Sequence, residues 1–129
     1  MKIAIDTNIL LRIISNDDPI FVGKARNLIE RYSTKEIFVS YGVIWETYCV
    51  LKSFYAYKLD RIYDALEDVL NTDEFSVENE TAVRLALAKA RKGQPFYDSL
   101  IGEIAAVKNL KTYTFDRGLK SNSSFVVVP

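Results

Sequence analysis

Histidine is absent from this sequence, and its glycines are few and scattered. Without histidine, the chain has no Ser-His-Asp or Cys-His nucleophile system, no imidazole general base and no histidine metal ligand. The five glycines never fall in the spacing of the dinucleotide-binding or P-loop motifs, which excludes both of those phosphate sites. If the protein has a catalytic site, the remaining candidates for it are carboxylates that act together with a metal ion.

Disulfides and membrane segments are also missing. The single cysteine, Cys49, has no partner within the chain, so we expect a reducing, cytoplasmic setting. No run approaches the roughly 18 apolar residues of a membrane span, and the N-terminus lacks the apolar segment and cleavage site of an export signal. We therefore expect neither membrane insertion nor export.

Net charge is missing as well, since seventeen Lys and Arg balance seventeen Asp and Glu. A protein with this balance does not hold nucleic acid by overall positive charge. Residues 60–80, however, contain eight acids and one base, a net of −7, which leaves +7 for the rest of the chain. This stretch is either a solvated helix face or a segregation of charge that lets other surfaces meet a polyanion.

A chain of 129 residues with 49% hydrophobic residues is long enough for one domain with a real core. Hydrophobic periodicity and turn residues predict strands at 2–5, 36–40, 74–77, 111–115 and 124–128, and helices at 8–14, 19–32, 42–54, 60–70, 78–92 and 96–109. Strands that alternate with helices predict an α/β fold. We expect one domain over residues 1–129, with a central parallel sheet of about five strands flanked by helices.

Two predicted strands stop at an aspartate. Asp6 follows the first strand and Asp116 follows the fourth. Ligands of parallel α/β sheets bind at the carboxyl ends of the strands, where both aspartates would lie. Taken alone, each aspartate could instead be the N-cap of a following helix.

Two further acids lie in predicted helices without a basic neighbour on the same face. The residues three and four positions from Glu46 are apolar or small, so a carboxylate buried there would need another neutralising group. Asp98 has similar neighbours, although its place in the first turn of a helix offers the helix dipole as a competing explanation. Glu103, about 140° around the same helix, is interpreted as an ordinary acid.

The four acids Asp6, Glu46, Asp98 and Asp116 are predicted to form one cluster. Like charges that lie together stay ionised only when a cation lies among them. Oxygen ligands without imidazole or thiolate select Mg²⁺ or Mn²⁺, and such ions chiefly serve phosphoryl chemistry. We therefore expect these residues to bind metal and to be catalytic.

Three segments, DTNILLRIISNDDP, VIWETYCVLKSFY and FYDSLIGEIAAVKNLKTYTFDRGL, resemble the PIN-domain family of metal-dependent nucleases, and most of all its VapC-type toxins. The resemblance implies hydrolysis of RNA with Mg²⁺ or Mn²⁺ to leave 3′-hydroxyl and 5′-phosphate ends. It assigns the metal ligands to the same four acids, makes Asn8 a polar residue that shapes the site and makes Thr114 a hydroxyl behind the ligands. The family often reads D-F-x-D where this chain has Pro95 in the place of the first acid.

The resemblance also implies partners, namely an antitoxin protein and a second copy of the chain in a homodimer. Seven of the sixteen aromatic residues lie between Tyr41 and Tyr63, where they could form core or an interface. Candidate contacts to RNA phosphates, first among them Arg12 and Arg117, are the basic residues Arg12, Lys89, Arg91, Lys92, Arg117 and Lys120.

The sequence is compatible with two other functions. One is a PIN-fold module that binds RNA or protein without catalysis. The other is a phosphatase of the haloacid-dehalogenase type, whose D-x-D motif the DTN of residues 6–8 imitates with Asn8 in place of the second aspartate. A calcium loop starting at Asp6 is excluded, because its sixth position is Leu11 rather than glycine and its twelfth is Asp17 rather than glutamate.

Overall fold

The structure, a computed structural model, describes all residues from Met1 to Pro129. The chain divides into two compact units, which we call unit 1 (Met1–Glu78) and unit 2 (Asn79–Pro129). No helix of either unit combines the length and the apolar character that crossing a bilayer requires. The single domain over residues 1–129 stays a prediction.

Unit 1 contains a three-stranded parallel sheet and four helices. Its elements are β1 (Ile3–Ala4), α1 (Thr7–Ser15), α2 (Pro19–Glu30), β2 (Ile37–Val39), α3 (Tyr41–Ser53), α4 (Leu59–Leu70) and β3 (Phe75–Val77). β2 is the central strand, in which Ile37 pairs with Ile3 of β1 on one side and with Phe75 of β3 on the other. Helical connections between successive strands allow all three to run parallel.

The core of unit 1 forms because strands and helices bury matching apolar faces. Ile37 and Val39 of β2 have no exposed surface. The buried face of α3 repeats at the three- and four-residue spacing of a helix, with Ile44, Thr47, Tyr48 and Leu51.

The acidic stretch 60–80 includes α4 and β3. α4 buries an apolar stripe that contains Ile62, Leu66 and Val69, and it exposes its acids Asp60, Asp64, Glu67 and Asp68. For this helix the structure supports the interpretation of a solvated face.

Unit 2 contains two helices and a two-stranded parallel sheet. Its elements are α5 (Glu80–Arg91), α6 (Phe96–Ala106), β4 (Thr112–Thr114), a 3₁₀ turn (Arg117–Leu119) and β5 (Phe125–Val127). β4 and β5 pair from Thr112 with Phe125 to Thr114 with Val127. Gly102 permits a close approach of α6 to β5, because a Cβ at this position would lie 2.7 Å from Cε2 of Phe125.

The α/β fold with parallel strands is confirmed, and every predicted strand and helix is present within three residues of its expected ends. The single sheet of about five strands is corrected to one sheet of three strands and one of two. Strands of two or three residues offer few hydrogen bonds each. Their pairing therefore depends on tertiary positions that the local sequence does not encode.

Candidate functional site

Asp6 lies where β1 ends and α1 begins, as predicted. Its backbone is extended, and its Oδ1 accepts a hydrogen bond of 3.2 Å from the N–H of Ile9. Asp6 is therefore the N-cap of α1, yet capping uses one carboxylate oxygen and leaves the other available to a ligand. The side chains of Asp6 and of Asn8, in the first turn of α1, are both exposed.

Asp116 has the corresponding place in unit 2, between β4 and the 3₁₀ turn. Its Oδ1 accepts a hydrogen bond of 2.8 Å from the N–H of Gly118, and its own N–H donates to Oγ1 of Thr114 at 3.0 Å. Thr114 thus holds the backbone of Asp116, which is compatible with its predicted supporting role. Both strand-end aspartates are exposed caps that keep an unused oxygen.

Glu46 is placed differently from the expectation. Its side chain is exposed and forms no hydrogen bond or ion pair, because α3 buries the opposite stripe of residues. The inference of a buried carboxylate is therefore wrong, and its predicted role as a ligand no longer draws support from burial. Glu46 also affects the pKa of the Cys49 thiol. Burial raises that pKa, nearby Lys52 lowers it, and Glu46 raises it.

Asp98 lies in the first turn of α6 and is half-buried. No hydrogen bond or ion pair engages its side chain, and the N-cap of α6, Pro95, provides no side-chain cap. The helix dipole therefore stays a valid competing explanation for an acid at this position.

The four predicted acids divide evenly, with Asp6 and Glu46 in unit 1 and Asp98 and Asp116 in unit 2. No group of three or more His, Cys, Asp or Glu side chains in the structure could hold a metal ion, so the four-carboxylate cluster stays a prediction. In kind these residues suit Mg²⁺ or Mn²⁺, because all are oxygen donors and none is neutralised by an ion pair with a base.

The basic residues predicted to meet phosphates differ in availability. Nη1 of Arg12 lies 3.9 Å from Oδ1 of Asp17, and Cζ of Arg12 lies 4.8 Å from the ring centroid of Phe21. Arg117 is exposed and has no partner. Lys89, also predicted among the phosphate contacts, has a partner already, because its Nζ lies 2.5 Å from Oε1 of Glu103.

Glu103 is the residue that the sequence analysis missed. It is only 4% exposed and belongs to a buried polar network with Lys89, Asn122 and Ser124. Nζ of Lys89 donates to Asn122 Oδ1 and Ser124 Oγ at 2.9 and 3.0 Å, and Ser124 Oγ donates to Glu103 Oε1 at 2.9 Å. The available signal was helical spacing from Phe96, since positions 96, 99, 100 and 103 share the buried face of α6.

The aromatic stretch from Tyr41 to Tyr63 contributes to the core in part. Tyr48 and Tyr63 are buried, and the rings of Trp45 and Tyr48 stack with centroids 5.2 Å apart. Phe54 in the same stretch is exposed. The core interpretation holds for the buried tyrosines, and an interface on this stretch stays a prediction.

The sequence model of the PIN domain matches residues 3–123 of this chain. The chain belongs to the PIN-domain family. Members of this family are typically nucleases, and the matched span includes all four predicted acids. No curated protein sequence matches this chain.

Two solved structures are similar over almost the full length of the chain. A toxin–antitoxin complex from Klebsiella pneumoniae is 14% identical, with a TM-score of 0.39, and the match covers 98% of this chain and 97% of the other. VapBC2 from Rickettsia felis, bound to a DNA fragment from its promoter, is 17% identical, with a TM-score of 0.41 and coverage of 99% and 98%. Likenesses this distant do not identify a substrate or a partner.

Proposed function

We propose that this protein is a Mg²⁺- or Mn²⁺-dependent endoribonuclease and the toxin of a type II toxin–antitoxin pair. The observation that supports a nuclease most strongly is the PIN-domain match over residues 3–123, which contains all four acids. The more specific role of a toxin acting on RNA rests on the resemblance of three segments of the sequence to VapC-type toxins.

In this proposal Asp6, Glu46, Asp98 and Asp116 hold the divalent ion. When bound, such an ion polarises a phosphate oxygen and makes a nearby water more acidic. Asp6 and Asp116 are suited to this role because a backbone N–H fixes one oxygen of each carboxylate, which orients the other. Asn8 and Thr114 support these two aspartates, and Arg12 and Arg117 contact the phosphates of the RNA.

The proposed partners follow from the same resemblance. The cognate antitoxin would be a protein that is partly disordered when free and becomes ordered on binding. The chain would form a homodimer in the cytoplasm, and the half-buried Trp45 and the exposed Phe54 are candidates for contacts in such an interface.

The central experiment removes one acid from each unit, with the variants Asp6→Asn and Asp98→Asn. Asparagine caps a helix about as well as aspartate, and neither side chain has an ion pair to lose, so both variants should fold. We expect RNA cleavage with Mn²⁺ to fall by more than about 100-fold in each, measured by gel with a labelled RNA, because a lost ligand removes a metal contact.

Asp18→Asn is the matched control for these variants. Asp18 is also an aspartate N-cap, with Oδ1 accepting from the N–H of Ile20 at 3.2 Å, but it is not among the predicted ligands. This variant should cut RNA at the parental rate. An Asp98→Asn protein that also cuts at the parental rate would remove the assignment.

A PIN-fold binding module without catalysis is the second candidate, favoured by the exposed side chain of Glu46, which needs no metal ion to neutralise it. Titration calorimetry with Mn²⁺ separates the two functions. The nuclease should bind the ion and cut RNA, and both signals should weaken in Asp6→Asn. A binding module would hold RNA without binding Mn²⁺ or cutting.

A further inference from the structure

β4 and the residue after it present two aromatic side chains to solvent directly before Asp116. Thr112 and Thr114 are half-buried, whereas Tyr113 is 69% exposed and Phe115 is 81% exposed. Phe115 is the most exposed large hydrophobic side chain of the protein. Burial in the described fold therefore does not explain why these positions are aromatic.

The surroundings of these two rings are basic. Residues 107–120 contain one acid, Asp116, and the four bases Lys108, Lys111, Arg117 and Lys120. Lys111 is engaged, since its Nζ donates to the carbonyl oxygen of Ser123. The side chains of the other three bases are exposed and have no partner.

The backbone that carries Phe115 and Arg117 is held by three hydrogen bonds. The N–H of Asp116 donates to Thr114 Oγ1, the N–H of Gly118 donates to Asp116 Oδ1, and the N–H of Val128 donates to the carbonyl of Thr114 at 2.8 Å. Phe115 and Arg117 are thus fixed on either side of Asp116, each with its Cα about 3.8 Å from that of the aspartate.

We propose that Phe115, assisted by Tyr113, is a stacking platform for an unpaired base of single-stranded RNA, and that Arg117 contacts a neighbouring phosphate. Exposed aromatic rings beside unpaired cations match the two parts of a nucleotide, since any base has a π-face and every phosphate is anionic. The inference rests on the proposed function, because it names how the residues around Asp116 hold the substrate.

The same features fit a protein partner less well. The centre of a protein–protein interface is depleted of charged residues, whereas here three unpaired cations lie within eight residues of the two rings.

The test measures binding of a fluorescently labelled oligoadenylate, about 12 nucleotides long, by anisotropy in metal-free buffer with chelator. Phe115→Ala should weaken binding by roughly 5- to 150-fold, the effect of losing one stacked base. Phe115→Trp should keep the affinity. A duplex RNA of the same length should bind equally to the parent and to both Phe115 variants, because its bases are already stacked on one another.

Ile20→Ala is the control, because Ile20 is 70% exposed in α2 of unit 1 and has no predicted contact to RNA or to a protein partner. Its affinity for oligoadenylate should equal that of the parent. Arg117→Met should make binding less dependent on salt, with the slope of log affinity against log salt reduced by about 0.7.

A spectroscopic readout tests stacking itself. Trp45 is the only tryptophan, so the double variant Trp45→Phe/Phe115→Trp reports from position 115 alone. Its emission should be quenched on addition of oligoadenylate. Unchanged emission, or a Phe115→Ala protein that binds oligoadenylate as tightly as the parent, would overturn the proposal and indicate a protein-facing surface instead.

Failure of this inference can be told apart from failure of the proposed function. If the parent cuts RNA with Mn²⁺ but Phe115→Ala binds and cuts equally well, only the stacking platform is wrong. If the parent binds oligoadenylate through Phe115 but never cuts RNA, the platform stands and the nuclease assignment falls.

Discussion

Unit 1 and unit 2 carry net charges of opposite sign. Unit 1 has nine basic and thirteen acidic residues, a net of −4, and unit 2 has eight and four, a net of +4. The zero total of the whole chain therefore conceals two units of opposite sign. A polyanion such as RNA would be attracted to unit 2, which carries the exposed Tyr113 and Phe115 and Arg117, more than to unit 1.

The ion pairs of the two units differ in burial. In unit 1 the ion pair between Lys2 and Glu36, 3.0 Å apart, lies at the surface. In unit 2 the pair between Lys89 and Glu103 is largely buried, with Glu103 satisfied by both Lys89 and Ser124. Buried charges are tolerable only when they are paired and hydrogen-bonded, so this network commits α5, α6 and β5 to one arrangement.

The largest expected effect comes from breaking the buried pair. Lys89→Met leaves Glu103 without its cation and should lower the free energy of unfolding by about 3 kcal/mol, because an uncompensated charge then lies in the core. The double variant Lys89→Met/Glu103→Leu should recover most of this loss, since it removes both charges. Urea unfolding measures both, with Lys2→Met as the control at the exposed pair of unit 1.

Lys2→Met should change the urea midpoint far less than Lys89→Met does, because the surface pair is solvated in either case. If the two single variants were equally destabilised, the contrast between the two units would be broken. A double variant as unstable as Lys89→Met would show that shape, rather than charge, dominates the buried site.

A smaller effect is expected from one unsatisfied hydroxyl in each unit. Oγ1 of Thr47 in α3 and Oγ of Ser99 in α6 are fully buried and have no hydrogen-bond partner. Thr47→Val and Ser99→Ala should each leave the protein as stable or up to about 1 kcal/mol more stable, because a buried polar atom without a partner is removed. Thermal unfolding checks this, and a clear loss of stability in one variant would reveal a partner for that hydroxyl.

The smallest effect concerns pH and Glu36. A hydrogen bond from the N–H of Ser33, followed by the interaction with Lys2, lowers the pKa of the Glu36 carboxyl below its ordinary value of 4.5. A lowered pKa stabilises the fold above the unfolded-state pKa, and this contribution is lost as the pH falls through the folded-state pKa.

We therefore expect the stability of the parent and of Glu36→Gln to differ slightly at neutral pH and to converge in acid, once the pH is below the folded-state pKa of Glu36. Urea midpoints measured from neutral to acidic pH check the convergence. A difference that persists at the acid end would mean that Glu36 acts through its shape rather than through its charge.

The sequence was most reliable where local chemistry acts. Asp6 and Asp116 were predicted at strand ends, and both cap the segment that follows, because extended backbone with an acceptor side chain is the usual start of a helical turn. It was least reliable for burial. Apolar neighbours suggested that Glu46 was buried, and a position about 140° around the helix from Asp98 suggested that Glu103 was ordinary. The structure reverses both.

These two errors have one physical cause. The apolar neighbours of Glu46 form a second, half-exposed face of α3, because the helix buries the stripe that begins at Ile44. Glu103 lies on the buried stripe of α6, where only a cation from α5 and a hydroxyl next to β5 make a carboxylate tolerable. Neither partner is near Glu103 in the sequence, so no local pattern could supply them.

By itself, the sequence determined the order of strands and helices, the α/β class, the caps at Asp6 and Asp116 and the membership of the PIN-domain family. Each of these follows from residues close together in the chain or from the order of motifs. Only the tertiary structure decided which strands pair, that they form sheets of three and two, and which acids are buried. These properties depend on contacts between residues far apart in the chain, and the free energy of such contacts exists only once both partners are in place.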